Sequence, residues 1–231
     1  MGKSSRKKPL EKKDIDKERD RLYIAVGSFL HAWNDVEEAL STLFRLIARM
    51  HPLYGSAAFY AVSNFDTRLR MVSSVIDART RGPSDWAPLV KAAWDKIQNQ
   101  LNRRRGFRNV IAHGKPSTLT VFSPGRDMIN GFMWGPQNGD YMAQDAMHSS
   151  DRLHPQLDGY TPNEINQSSK AADQAALRIN NLSHVIWRMD SPNIEDNKEW
   201  PTILIDLLKD LNVDMSKISV KTLEDFQSPL Q

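Results

Sequence analysis

The chain has 231 residues, 40% hydrophobic and 26% charged, a composition that suits a globular domain with appendages. It contains no cysteine, which excludes disulfide scaffolds, thiolate metal centres, iron–sulfur clusters and cysteine nucleophiles. No apolar run approaches the ~18 residues of a membrane span and the N-terminus is charged rather than apolar, so a cytoplasmic protein with no membrane partner is expected.

The formal charge of +3 is unevenly held. Residues 1–21 carry nine Lys/Arg against five Asp/Glu, and the remaining 22 basic and 23 acidic residues nearly cancel. The basic character therefore belongs to the leader, residues 1–20, which reads as solvated and disordered; phosphate contact through charge neutralisation is its other reading.

From about Asp16 to Met50, apolar residues recur at three- and four-residue steps (Leu22, Val26, Phe29, Leu30, Trp33, Val36, Leu40, Leu43, Phe44, Ile47), the face of one long helix that His51-Pro52 stops. Residues 54–80 read as helix again, divided near Ser63-Asn64-Phe65-Asp66, with Ala57, Ala61, Phe65, Leu69, Val72 and Ile76 inward. After the turn at Arg81-Gly82-Pro83-Ser84, a third helix buries Leu89, Ala93, Trp94, Ile97 and Leu101 and ends at Gly114 and Pro116.

Thr118–Phe122 and Ile129–Trp134 read as a β-hairpin across Pro124-Gly125, and residues 135–160 as an irregular loop. Thr161, Pro162 and Glu164 then spell a capping box with proline at the first helical position. That helix is expected to reach Met189, burying Ile165, Ala172, Ala176, Ile179, Leu182 and Ile186. Residues 191–231 form an extension with one short helix, Ile203 to Leu211. The fold class is all-α: an up-and-down four-helix bundle spanning 21–190, with the hairpin inserted before the last long helix.

Most site chemistries find no motif. There is no Gly-Lys-Ser/Thr phosphate loop, no paired metalloprotease histidines and no nucleophile elbow. His148, Asp151 and His154 have metal-ligand spacing but read as polar loop residues without a fourth ligand, so no metal or cofactor is expected.

The run Arg108-Asn109-Val110-Ile111-Ala112-His113-Gly114 closes the third helix. At about 100° per residue, Asn109 and His113 share a face, whereas Arg108 stands about 140° from His113 and must reach round on its long stem. A histidine titrating near neutrality beside a bidentate guanidinium suits RNA cleavage by 2′-hydroxyl attack. The same residues also read as carbonyl caps and solvated charge at the end of a basic helix.

With four residues between Arg108 and His113, Asn109 in the polar position, Trp33-Asn34-x-x-Glu37 on the first helix and Tyr160-Thr161-Pro162 opening the last, the chain resembles the HEPN superfamily over roughly residues 20–190. The resemblance implies a metal-independent endoribonuclease, a toxin or defence effector, that leaves 2′,3′-cyclic phosphate. It also implies a homodimer with facing motifs and, as a possible partner, an antitoxin protein. Arg108, His113 and Asn109 are then the catalytic candidates. Glu37 and Arg105 are secondary ones, Glu37 for positioning Arg108 or His113. The family also contains non-catalytic modules that bind nucleotide or a partner protein, which is the alternative function.

Overall fold

The computed structural model describes residues 12–81, 86–123, 126–136, 159–190 and 199–214. Among these the chain is mostly helical, with α1 (Lys12–Ile47), α2 (Pro52–Tyr60), α3 (Phe65–Arg79), α4 (Ala87–His113), α5 (Pro162–Asp190) and α6 (Trp200–Asp210). Strands β1 (Gly114–Ser123) and β2 (Arg126–Pro136) form one antiparallel pair between α4 and α5. No helix among the described residues is long and apolar enough to cross a membrane. Two compact units divide the chain, Met1–Trp33 with Arg104–Ala172 and Asn34–Arg103 with Asp173–Gln231, so α1, α4 and α5 each supply residues to both.

In the first unit, Leu22, Ala25, Val26, Phe29, Trp33, Ile111 and Ile165 are buried, each large side chain contributing about 1.5–3 kcal/mol. The rings of Phe29 and Phe107 meet edge to face at 5.0 Å, and Phe107 packs on Tyr160 at 4.3 Å. The hairpin pairs Gly114 with Pro136 and Ser123 with Arg126, with a bulge between Leu119 and Thr120. It is longer at both ends than the alternating apolar pattern foretells, since main-chain pairing continues past the apolar positions. Trp134 and Tyr160 exchange backbone hydrogen bonds of 2.8 and 2.7 Å, which seats the start of α5 on β2. The capping box forms as expected: Thr161 N and Oγ1 donate to Glu164 Oε2 at 2.8 Å, and Glu164 N donates back to Thr161 Oγ1 at 3.4 Å.

The second unit buries Val36, Leu40, Leu43 and Ile47 of α1 among apolar residues of α2 to α6, including Phe59, Ile76, Trp94, Ile97, Leu182 and Leu208. Trp94 Nε1 donates to Ser73 Oγ at 3.1 Å, which satisfies its indole inside the core. The split within 54–80 falls where expected, with Asn64 capping α3 by accepting from Thr67 N. In α2, however, Ala57 and Ala61 are exposed and Phe59 is buried. The helix is too short for its periodicity to be read reliably.

Both ends of α1 also differ from the sequence reading. Helix α1 starts at Lys12, inside the stretch taken as leader, because charged residues are good helix formers and pair along it: Arg19 with Asp16 and Arg21 with Glu18. It ends at Ile47, ahead of His51-Pro52. Arg49 takes a left-handed φ of 51°, and Met50 N donates to Arg45 O while Arg49 N donates to Leu46 O, a Schellman termination without glycine. The short helix of the extension, α6, lies in the second unit, where Arg178 Nε of α5 donates to Asp210 Oδ2 at 2.6 Å.

Candidate functional site

Helix α4 carries the motif in its last two turns, within the first unit. Arg105, Asn109 and His113 recur at four-residue steps and are all exposed, so they form one polar stripe ending at the helix C-terminus. Arg108 is half-buried beside that stripe and turns its guanidinium toward it, Nη1 donating to Asn109 Oδ1 at 3.3 Å. The structure thus brings Arg108 and Asn109 together and sets His113 one turn further along the face of Asn109.

The helix gives way to β1 without a connecting loop, since His113 is the last helical residue and Gly114 the first of the strand. A Cβ at Gly114 would lie 2.4 Å from Trp134 Nε1, 2.4 Å from Val110 O and 2.5 Å from Gly135 O, so no other residue fits without displacing backbone. Trp134 Nε1 donates to Ile111 O at 3.0 Å and occupies one of the carbonyls the helix end leaves open. The sequence pattern marks Gly114 only as a helix stop and Trp134 only as the end of a hairpin strand. A tryptophan in a strand carries no signal of what its indole will cap.

Glu37 belongs to the second unit, where its carboxylate accepts from Arg68 Nη1. Arg68 also donates from Nε to Val62 O at 2.5 Å and lies over the rings of Phe59 and Tyr60. This places Glu37 in a nearly buried ion pair that joins α1 to α3. Tyr60, beside it, has its pKa raised by burial first and by Glu37 and Glu38 next.

Beside the motif, Arg104, Phe107, Tyr160, Glu164, Gln167 and Ser168 line a cavity of about 370 Å³ in the first unit. Burial, then the charge of Glu164, raises the Tyr160 pKa, so its phenol stays protonated at neutral pH. Among the described residues no three His, Asp or Glu side chains group as a metal site. His148, Asp151 and His154 lie outside the described residues. No family model, curated protein or solved structure matches the chain.

Proposed function

We propose that the protein is a metal-independent endoribonuclease of the HEPN type, acting on cytoplasmic RNA as a toxin or defence effector. Its scaffold is then an up-and-down four-helix bundle with the β-hairpin inserted before the last long helix. The observation that supports this is the anchored end of α4: His113 is exposed on a helix terminus held by Trp134 and Gly114, and Arg108 donates to Asn109, one turn before His113 on the same face.

In the reaction the 2′-oxygen loses its proton to a base and forms the bond to phosphorus. The bond from phosphorus to the 5′-oxygen breaks, and that oxygen leaves with a proton from an acid. His113 is the proton-transfer group. Arg108 holds two non-bridging oxygens through its planar fork as charge grows on them. Asn109 orients Arg108 by accepting from Nη1, and Arg105 adds positive charge along the same stripe.

One motif histidine per chain, His113, supplies one proton-transfer group, whereas in-line cleavage uses both an acid and a base. The reading therefore includes a homodimer in which two-fold symmetry doubles the motif. Incubating the protein with single-stranded RNA in excess chelator tests the reaction. It predicts fragments ending in 2′,3′-cyclic phosphate. A shift in RNA mobility with no cleavage would leave a binding module in place of an enzyme.

A further inference from the structure

The cavity beside the motif combines three features that recur where proteins hold single-stranded RNA: an aromatic wall, hydrogen-bonding groups at its rim, and a cation. Phe107 and Tyr160 form the wall with their rings 4.3 Å apart, and Phe29 backs Phe107 at 5.0 Å, so the wall is rigid. Both wall residues are half-exposed and present ring surface to the cavity. Its volume of about 370 Å³ falls within the range of small-molecule sites.

The rim is selective. Glu164 Oε2 is occupied by Thr161 N and Oγ1, which fixes the carboxylate, while Oε1 accepts no hydrogen bond among the described residues. A fixed carboxylate oxygen accepts from a base that presents adjacent donors. Guanine offers N1–H and N2–H₂ side by side; uracil offers N3–H between two carbonyls that the carboxylate repels. Gln167 and Ser168 supply further donors and acceptors one turn along α5. Arg104 stands one turn before Arg108, about 6 Å along the α4 axis and on a neighbouring bearing.

We propose that this cavity holds the base of a nucleotide beside the scissile phosphate, stacked on Phe107 and Tyr160, with guanine preferred over uracil through Glu164. The placement beside the scissile phosphate rests on the reading of Arg108 and His113 as the RNA-cleaving pair. The cavity's ligand class is tested without cleavage. The full-length protein is titrated by fluorescence anisotropy with two 2′-O-methyl dodecamers, which lack the attacking hydroxyl: oligouridine, and oligouridine with one central guanosine.

The guanosine oligomer is expected to bind about tenfold more tightly. Glu164→Gln is expected to remove most of that preference, by weakening binding of the guanosine oligomer and by relieving the repulsion of the uracil carbonyls. Ser168→Ala, which trades one rim hydroxyl for the best helix former, is expected to keep the preference in reduced form, and circular dichroism of both variants checks folding. Equal affinity for the two oligomers, or a preference that Glu164→Gln leaves intact, overturns the assignment. The outcomes separate the two readings: guanosine preference in a protein that cleaves no RNA keeps the cavity and discards the nuclease, and cleavage without the preference does the reverse.

Discussion

Trp134 reaches across from β2 to donate its indole N–H to the main-chain oxygen of Ile111, 3.0 Å away and two residues before His113. The bond ties the end of α4 to the hairpin, and Gly114 makes the approach possible by having no Cβ to block it. Order at the end of a helix is otherwise hard to keep, because its last carbonyls lack partners and the turn frays. A proton-transfer group at that position needs such an anchor.

Trp134→Phe keeps a ring and removes the donor. It is expected to cost about 1 kcal/mol, lowering the melting temperature by roughly 2–4 °C. Gly114→Ala forces a methyl against two carbonyl oxygens and the indole, and is expected to cost about 1–3 kcal/mol. Thermal denaturation followed by circular dichroism checks both. An unchanged midpoint for Gly114→Ala would show that the junction is slack.

Glu37→Gln leaves Arg68 without its carboxylate where the two side chains are only 11% and 13% exposed. The expected loss is about 2–3 kcal/mol, between the values for surface and buried pairs. Replacing both residues with methionine is expected to recover most of it, because the cost lies in the orphaned charge. Urea denaturation of the parent and the two variants reads this directly. A double variant no more stable than Glu37→Gln would assign the loss to packing or to the Val62 carbonyl bond instead.

Asp210 has its pKa held below the ordinary aspartate value chiefly by the hydrogen bond from Arg178, which outweighs the opposing effect of burial, and to a lesser extent by that residue's charge. A carboxylate with a lowered folded pKa stabilises the protein above its unfolded pKa, and that contribution is lost as pH falls through the folded value. Asp210→Asn is therefore expected to lower the melting temperature slightly at neutral pH, with the gap to the parent closing below about pH 4. Asp210 is more than half exposed, so the effect is small. A gap that persists at pH 2–3 would mean the side chain acts by something other than its charge.

Much of this was legible beforehand. The 3.6-residue period picked out the buried faces of α1, α4 and α5, because long helices repeat the signal over many turns. Thr161, Pro162 and Glu164 marked the start of α5 because capping is local chemistry. The start of α1 was missed because Lys12–Asp20 holds no apolar period, and its helix rests on propensity and on pairs such as Arg19 with Asp16. At the site, the stripe of Arg105, Asn109 and His113 could be counted off from spacing. The partnership of Ile111 with Trp134 and of Phe107 with Tyr160 could not, since those residues are 23 and 53 positions apart and nothing local encodes their meeting. The pairing of Glu37 with Arg68 was likewise hidden, since the two are 31 positions apart.

A composite site makes activity depend on association. Specific activity measured against protein concentration, with sizing of the same samples, is expected to fall per chain as a dimer dissociates, or to stay constant with the dimer intact throughout. A monomer that cleaves RNA at an undiminished rate per chain would remove the requirement for a second motif.

The account turns on whether His113 and Arg108 perform chemistry on RNA. Single-turnover cleavage of a single-stranded RNA in excess chelator, compared between the parent protein and His113→Ala, tests this most directly, with Arg108→Lys as the second variant. Both residues lie at an accessible helix end, so melting temperatures are expected to stay within a few degrees of the parent. The parent is expected to produce 2′,3′-cyclic phosphate ends. His113→Ala is expected to be slower by about 10²–10⁴-fold, and Arg108→Lys to be impaired because a point charge does not reproduce the planar fork. Cleavage by His113→Ala at the parent rate, or no cleavage by the folded parent, would contradict the account.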